Sequence, residues 1–209
     1  MATVVTHSNR RSHAACLAGM HADRKRVFVD TLHWELPVVD GCYEIDEYDT
    51  DDAIYLIVQD AARGDHLGSV RIVPTTGPHL LGDKFAFLCE GPVPTGLDVW
   101  EITRLCTAPG LPRATAARVR EQLALALVEY ALVAGIGRYT MMTHMALLAG
   151  VLATGWDCEP LGLPADVNGD MVGALLVTIN PATLAKLRSQ WSFSQPVLRL
   201  DLNESKLAA

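Results

Sequence analysis

The residues best suited to chemistry in this sequence are charged side chains at short spacings. The stretch "EIDEYDTDD", residues 44–52, carries six carboxylates in nine positions. Such a run is usually a solvated loop, and the spacing of Asp46 and Asp49 lacks the glycine and closing glutamate of a calcium-binding EF-hand loop. A third interpretation is a site for an organic cation, because Tyr48 and the nearby Trp34 have aromatic faces that attract positive charge. The stretch alone leaves these interpretations open.

A second charged pair lies in the apolar segment "VWEITRLC", residues 99–106. Strict alternation along a strand places Glu101 and Thr103 on one face and Trp100 and Arg104 on the other. Charges in an apolar strand cost free energy unless they are paired or line a cavity. The segment therefore holds either an internal ion pair or a general base beside a substrate-binding arginine. A β-bulge here would re-aim one of the side chains.

A third charged position is Arg71 in "GSVRIVPTTGP". Alternation turns Val70 and Ile72 to one face and Arg71 to the other. Arg71 is then either a surface residue or a clamp for a carboxylate, which suits the forked guanidinium. The sequence has no nucleophile motif around Ser69, and it contains neither a P-loop nor a dinucleotide-binding glycine motif.

The composition bounds the class of protein. The 209 residues are half hydrophobic, carry a formal net charge of −7 and include five widely spaced cysteines. This charge argues against nucleic acid as the main partner, and the cysteines indicate reduced thiols in a cytoplasmic protein. No apolar run approaches the roughly 20 residues that span a bilayer, so we expect no stable membrane insertion. We expect a single domain, with residues 1–13 as a flexible arm.

Periodicity and turn residues predict the elements that must position these side chains. The predicted helices are residues 14–33, 113–135, 144–155 and 181–191. The predicted strands are residues 53–60 and 66–73, which form a hairpin, and 97–108, 138–143 and 171–179, while 74–85 is a long loop with a short turn of helix. This order indicates an α/β (α+β) fold, a mixed twisted sheet flanked by helices. The strand–helix–strand unit over 99–143 predicts a right-handed parallel crossover.

Taken together, these pieces resemble the LuxI-type acyl-homoserine-lactone synthases, the autoinducer synthases of bacterial quorum sensing. The resemblance covers residues 24–110 and extends more loosely to 180. Its motifs are "RKRVFVDTLHW", "YEIDEYD", "GSVRIVPTTGP" and "VWEITRLC", in that order and at the spacing of the family. The residues that carry the spacing are Arg24, Phe28, Trp34, Asp46, Asp49, Arg71, Glu101 and Arg104.

The resemblance implies an N-acetyltransferase-like three-layer sandwich and two substrates. One is S-adenosylmethionine, and the other is an acyl chain on acyl carrier protein or coenzyme A. The α-amine attacks the thioester, and the carboxylate of the acylated intermediate then displaces methylthioadenosine to close the lactone. The family needs no metal and no cofactor, because S-adenosylmethionine is consumed as a substrate.

The resemblance also implies residue roles. Glu101 is the expected general base, working beside Arg104, and backbone N–H groups near residues 104–107 are expected to stabilise the thioester oxyanion. The residues expected to contact S-adenosylmethionine are Arg24, Phe28, Trp34, Asp46, Asp49, Arg71 and Thr103. The residues expected to line the acyl site are Met142, Thr143, Trp156 and Leu176. Thr143 is either a determinant of 3-oxo chains or simply a β-former.

The segment "HMALLAGVLATGW", residues 144–156, departs from the family, because many members carry basic residues there for the acidic carrier protein. Either docking uses arginines elsewhere or the donor is not the carrier protein, which we still expect to be the donor. The alternative arginines are Arg113, Arg118, Arg120 and Arg138. Two other functions stay open: an N-acyltransferase of the same fold that forms no lactone, and an inactive ligand-binding protein.

Overall fold

The computed structural model describes residues 1–200. The strands are β1 (Ala2–Val5), β2 (Val38–Val39), β3 (Tyr43–Glu44), β4 (Ile54–Gln59), β5 (His66–Pro74), β6 (Val99–Thr107), β7 (Arg138–His144), β8 (Asp157–Pro160), β9 (Ala165–Val167), β10 (Asp170–Thr178) and β11 (Leu198–Arg199). The α-helices are α1 (Ala14–Arg24), α2 (Leu80–Lys84), α3 (Arg113–Ala134), α4 (Met145–Ala153) and α5 (Pro181–Trp191). Two 3₁₀ helices (His7–His13 and Ala86–Leu88) and a π-helix (Lys25–Thr31) complete the elements of this part of the chain.

The predicted mixed sheet is confirmed. Its strand order is β11-β1-β4-β5-β6-β7-β10-β8, with β9 also paired to β10. The β4–β5 pair is the predicted hairpin, and β6 and β7 are the predicted parallel pair joined through α3. Gly135 ends α3 in the left-handed conformation at φ 75°, which glycine adopts without steric cost.

The first thirteen residues do not form the expected flexible arm. Ala2–Val5 is a buried strand between β4 and β11, and the 3₁₀ helix His7–His13 follows it. Arg10 holds this helix down by donating to the carbonyl oxygens of Thr50 and Ala53. The prediction was wrong because a four-residue strand among polar neighbours gives little periodic signal. The strands β2, β3, β8, β9 and β11 have two to four residues each and were also missed.

The two faces of the sheet have different roles. Val70 and Ile72 pack beneath the apolar stripe of α3, whose Val119 and Leu123 are fully or almost fully buried. Gly68 allows this close approach, because a Cβ there would lie 2.5 Å from Cγ1 of Val119. The opposite face carries Arg71 and Glu101 and is covered by α1 and α2. The core on one face thus supports the polar side chains on the other.

The parallel pairing of β6 with β7 stops early. Their register runs from Val99 opposite Arg138 to Ile102 opposite Met141, yet β6 continues to Thr107 and β7 to His144. The two strands therefore diverge beyond Ile102 and open a cleft between their carboxyl ends. In the described residues 1–200, no helix is long and apolar enough to cross a membrane.

Candidate active site

Three arginines and three acids form a buried ion-pair cluster beside the cleft. Its members are Arg24, Arg71, Arg104, Glu44, Asp46 and Asp49, and their side chains are all at most 7% exposed. Three positive charges balance three negative ones, which is the condition under which such charges are tolerated inside a protein. Of the arginines, Arg104 is the most exposed, at 7%.

The aspartates expected to contact a cation are saturated with hydrogen bonds. Asp46 accepts two from Arg71 at 2.5 and 3.0 Å, one from Arg104 at 2.6 Å and one from the Tyr48 amide at 2.9 Å. Asp49 accepts two from Arg24, one from the Tyr55 hydroxyl and one from the Asp46 amide. A carboxylate has about four acceptor positions. In this structure both aspartates therefore hold the arginines in place.

The arginines of the cluster keep Asp46 and Asp49 ionised. Burial raises the pKa of Asp46, but the hydrogen bond and charge of Arg71, with the charge of Arg104, outweigh it and bring the pKa below its ordinary value. Burial opposes ionisation of Asp49 in the same way, and the Arg24 contacts lower its pKa well below the usual range. By contrast, Asp51 in the same stretch is 72% exposed, as expected for a solvated charge.

A β-bulge places Arg104 in the cluster. Ser69 and Cys106 are register partners, as are Arg71 and Thr103, so β6 has one extra residue between these two pairs. Arg104 adopts φ 53°, a left-handed conformation that is sterically unfavourable for residues with a side chain. Strict alternation put Arg104 on the face opposite Thr103, and this expectation was wrong. The bulge turns Arg104 to the face on which Arg71 donates to Thr103 Oγ1 at 3.0 Å.

Glu101 lies where the cleft opens, on the same face of the sheet. It is fully buried, and both carboxylate oxygens accept the amide N–H of Leu81, at 3.1 and 3.0 Å. Burial raises the pKa of Glu101 above its ordinary value, although the Leu81 amide and the charges of His79 and Arg71 partly offset this effect. A carboxyl with a raised pKa accepts a proton more readily, which suits a general base.

An aromatic stack spans the mouth of the cleft. The Arg104 guanidinium lies over the Phe28 ring at 5.6 Å. Phe28 stacks on Trp34 with ring centroids 5.1 Å apart, and Trp34 stacks on His144 at 5.4 Å with the planes within 3°. Arg104 belongs to β6 and His144 to β7, so the stack bridges the ends of the two diverging strands.

A family model described as autoinducer synthase matches residues 7–187 of the 209-residue chain. The chain belongs to the autoinducer synthase family. An acyl-homoserine-lactone synthase from Ralstonia nicotianae is 35% identical over 187 residues, covering 87% of this chain and 91% of that protein. The family predicted from the sequence motifs is therefore confirmed.

Solved structures similar to this autoinducer synthase confirm the predicted fold. The coenzyme A-dependent acyl-homoserine lactone synthase BjaI, solved with S-adenosylmethionine and isopentyl-CoA, is 28% identical with a TM-score of 0.88, over 98% of this chain and 94% of that one. A Lactobacillus plantarum protein named as an N-acetyltransferase is 17% identical with a TM-score of 0.57, over 85% of this chain and 97% of that one. The second likeness shows the N-acetyltransferase-like fold.

The residues expected at the acyl site are not all together in this autoinducer synthase. Met142 joins Ala174 in an apolar cluster with α2, and Thr143 is buried beside it on β7. Leu176 is the register partner of Thr140 on the neighbouring strand. Trp156 belongs instead to the large core beneath α3 and α5. The structure thus places Met142 and Thr143 on β7, which borders the cleft, Leu176 on the next strand of the sheet, β10, and Trp156 in the main core.

Several contributors to the site of this family member escaped the sequence analysis. Glu44 binds Arg24 at 2.5 Å and Arg104 at 3.1 Å, yet it was counted only as one carboxylate of the acidic stretch. The Leu81 amide and His144 lie in segments with no charged motif. The buried ring of Tyr48 meets cations of the chain itself, with the Arg71 guanidinium 5.9 Å and the Lys84 ammonium 5.7 Å from its centroid, and its hydroxyl donates to Asp83 at 3.3 Å. Tyr48 thereby ties the acidic stretch to α2.

The described part of the chain offers no evident metal site. Within residues 1–200, no three histidine, cysteine, aspartate or glutamate side chains are grouped so as to hold a metal ion.

The arginines considered for donor docking differ in their contacts. Arg118 donates to the Trp191 carbonyl at 2.8 Å and lies 3.5 Å from the Phe193 ring centroid. Arg138 pairs with Asp98. Arg113 and Arg120 are exposed at the start of α3.

Proposed function

We propose that this protein is an acyl-homoserine-lactone synthase that acylates S-adenosylmethionine and then closes the lactone with release of methylthioadenosine. The observation that carries this proposal is Glu101, a buried carboxyl with a raised pKa at the point where β6 and β7 diverge, beside the ion-pair cluster. Family membership and the bound S-adenosylmethionine in the structure of BjaI support it.

The first step is formation of the amide. Glu101 takes one proton from the α-ammonium of S-adenosylmethionine, and the freed nitrogen lone pair attacks the thioester carbonyl carbon. The new C–N bond replaces the C–S bond, and the thiolate leaves with the second amine proton. In the second step a carboxylate oxygen attacks the γ-carbon and displaces methylthioadenosine, so no metal or recycled cofactor takes part.

We assign Arg104 to the substrate carboxylate, since it is the most exposed arginine of the cluster and lies at the cleft. Asp46 and Asp49 then act by fixing Arg71, Arg104 and Arg24, because their own acceptor positions are filled. Phe28 and Trp34 cover the cleft mouth, and because Trp34 already stacks on both Phe28 and His144, a sulfonium or adenine that meets an aromatic face there would take the place of His144 or Arg104 in the stack.

For the acyl donor we propose acyl coenzyme A ahead of the acyl carrier protein favoured by the sequence. The α4 helix has no basic residue for an acidic carrier, and Arg118 and Arg138 are engaged in other contacts. Arg113 and Arg120 remain exposed at the start of α3, where nucleotide phosphates are readily bound. Turnover with acyl coenzyme A and acyl carrier protein of equal chain length, over a range of salt concentrations, tests this choice.

The role of Glu101 is tested by a single-turnover measurement of amide formation. Glu101→Gln keeps the shape of the side chain and removes the base, so we expect acylation to slow by about 10²–10⁴-fold. Glu90→Gln is the matched control, because Glu90 is exposed. An acylation rate in Glu101→Gln equal to that of the control would remove Glu101 from the mechanism.

A further inference from the structure

A buried histidine holds the end of α1 to the sheet. His66 lies on β5, and its Nδ1 is 2.8 Å from Oδ2 of Asp23, near the end of α1. The two side chains are 1% and 8% exposed. Because an ionised carboxylate only accepts hydrogen bonds, Nδ1 of His66 is the donor and Asp23 the acceptor. The other oxygen of Asp23 accepts from Nη1 of Arg26 at 2.9 Å, and the Arg26 side chain is 63% exposed.

This hydrogen bond falls where the backbone pattern of the helix changes. Arg24 is the last residue of α1, and the π-helix begins at Lys25. The Leu32 amide at its end donates to the Val27 carbonyl at 3.0 Å, five residues back, which is the spacing of a π-helix. Such segments are rare and recur at functional sites. Asp23, one residue before the last of α1, is therefore placed to fix where the α-helix ends.

The junction of α1 and the π-helix determines where two side chains of the active site lie. Asp23 faces β5 through its bond to His66. Arg24 follows it in the helix, so its side chain points about 100° further round, into the ion-pair cluster. Phe28 belongs to the π-helix and lies 5.6 Å from the Arg104 guanidinium. A rotation of the end of α1 would therefore move both Arg24 and Phe28.

The imidazole of His66 is poorly suited to a purely stabilising role. Its Nε2 is buried and has no hydrogen-bond partner among residues 1–200. A buried nitrogen without a partner costs stability, so one side of the ring opposes folding. By comparison, the buried carboxylate of Glu129 accepts from two main-chain amides and the Arg188 guanidinium. An unsatisfied group such as Nε2 of His66 calls for a reason other than stability, and such groups cluster at functional sites.

We propose that His66 is a positioning residue that fixes the junction of α1 and the π-helix through Asp23. It thereby holds Arg24 and Phe28 at the site for S-adenosylmethionine, so the proposal rests on the proposed function and adds to it a residue that acts only through its neighbours. Without the Nδ1 donor, the buried Asp23 carboxylate would have one partner fewer. The end of α1 would then rotate so that Asp23 reaches water beside Arg26, and Arg24 would leave the cluster.

Two amide variants separate the two nitrogens of the imidazole. His66→Asn keeps an N–H donor close to the position of Nδ1, whereas His66→Gln carries its amide toward the position of Nε2, away from Asp23. We expect His66→Gln to raise the KM for S-adenosylmethionine by about 10-fold, the lower end for a lost hydrogen bond to a charged group, and to leave the KM for the acyl donor unchanged. His66→Asn should keep the KM of the unchanged protein. His66→Leu, which also removes the donor, repeats the measurement if His66→Gln does not fold.

Glu129→Gln is the matched control. Glu129 is also a buried carboxylate, but its partners are Arg188 of α5 and the amides of residues 197 and 198. The control should lower the urea midpoint of unfolding and leave both KM values unchanged. Equal KM values for S-adenosylmethionine in His66→Gln and His66→Asn would overturn the proposal, as would a rise of both KM values together. Failure of both His66→Gln and His66→Leu to fold would assign His66 to stability and overturn it as well.

Hydrogen exchange, followed by mass spectrometry, gives a readout that needs no substrate. The amides of residues 25–34 should exchange faster in His66→Gln than in His66→Asn, and Glu129→Gln should leave them unchanged. If the unchanged protein makes no lactone, the proposed function fails, yet these exchange rates still decide whether His66 holds the junction. Equal exchange over residues 25–34 in the two His66 variants would show that it does not.

Discussion

The substitution Asp46→Asn tests whether the ion-pair cluster is held by charge. Asp46 accepts three hydrogen bonds from Arg71 and Arg104, whose side chains are 0% and 7% exposed. In the Asp46→Asn variant the buried cluster would hold three positive charges and only two negative ones. Breaking one partner of a buried ion pair costs about 3–5 kcal/mol. Total stabilities are about 5–15 kcal/mol, so this is a large share of the whole.

The control for Asp46→Asn is Asp52→Asn, which removes the same charge from an exposed position. We expect the control to change stability by at most about 0.5 kcal/mol and Asp46→Asn to lower the melting temperature by about 6–20 °C. Thermal and urea unfolding at pH 7, followed by circular dichroism, measure both. The double variant with Arg104→Met restores neutrality and should cost less than the sum of its parts. Equal stability of Asp46→Asn and Asp52→Asn would refute the reasoning.

Three further outcomes follow from the site. In the pH–rate profile, the midpoint of the acid limb of kcat should lie above pH 4.5, the ordinary pKa of a glutamate. The reason is that kcat falls as the pH drops through the raised pKa of Glu101. Gly82→Ala places a methyl 2.6 Å from Cε1 and Nε2 of His79, so it should displace α2 and lower kcat. The double variant that also carries His79→Ala should recover part of the lost kcat, as measured by steady-state kinetics. His144→Ala removes a ring stack worth about 0.5–1.5 kcal/mol, so acrylamide should quench Trp34 fluorescence more strongly, while His144→Phe should not.

The stability of the fold toward acid has a defined sign. Asp46 and Asp49 have pKa values lowered in the folded state, so their contribution is present above the unfolded value of about 3.9 and is lost as pH falls through the folded values. Glu101 acts in the opposite sense: because its pKa is raised in the folded state, its contribution to stability becomes more favourable as the pH falls and the carboxyl is protonated. The protein should therefore stay folded at the pH where the acid limb of kcat, assigned to Glu101, is measured. Circular dichroism at that pH checks this.

The regular elements followed from local pattern. The bounds of α5 agree with the predicted residues 181–191, because Asn180 caps its start and Pro181 suits the first turn. The predicted helix over 14–33 is α-helical only to Arg24 and continues as a π-helix from Lys25 to Thr31. Periodicity indicates a helix there but does not separate the two hydrogen-bond patterns.

The site was harder to predict than the elements, because its geometry depends on pairing between distant strands. A one-residue bulge in β6 turns Arg104 to the face of Thr103, and no residue in the segment marks where the bulge falls. The role of Glu44 depends on Arg24 and Arg104 arriving from two other elements. Residue types and spacing thus predict which side chains carry charge, while register decides which of them meet.

The most direct test of the central claim is the product balance of the purified protein. With S-adenosylmethionine and an acyl coenzyme A, mass spectrometry should find acyl-homoserine lactone and methylthioadenosine in equal amounts, and Glu101→Gln should lower both together. An acylated amine formed without methylthioadenosine would contradict the account and indicate an N-acyltransferase that forms no lactone. Binding of S-adenosylmethionine without either product, with both donors supplied, would contradict it as well.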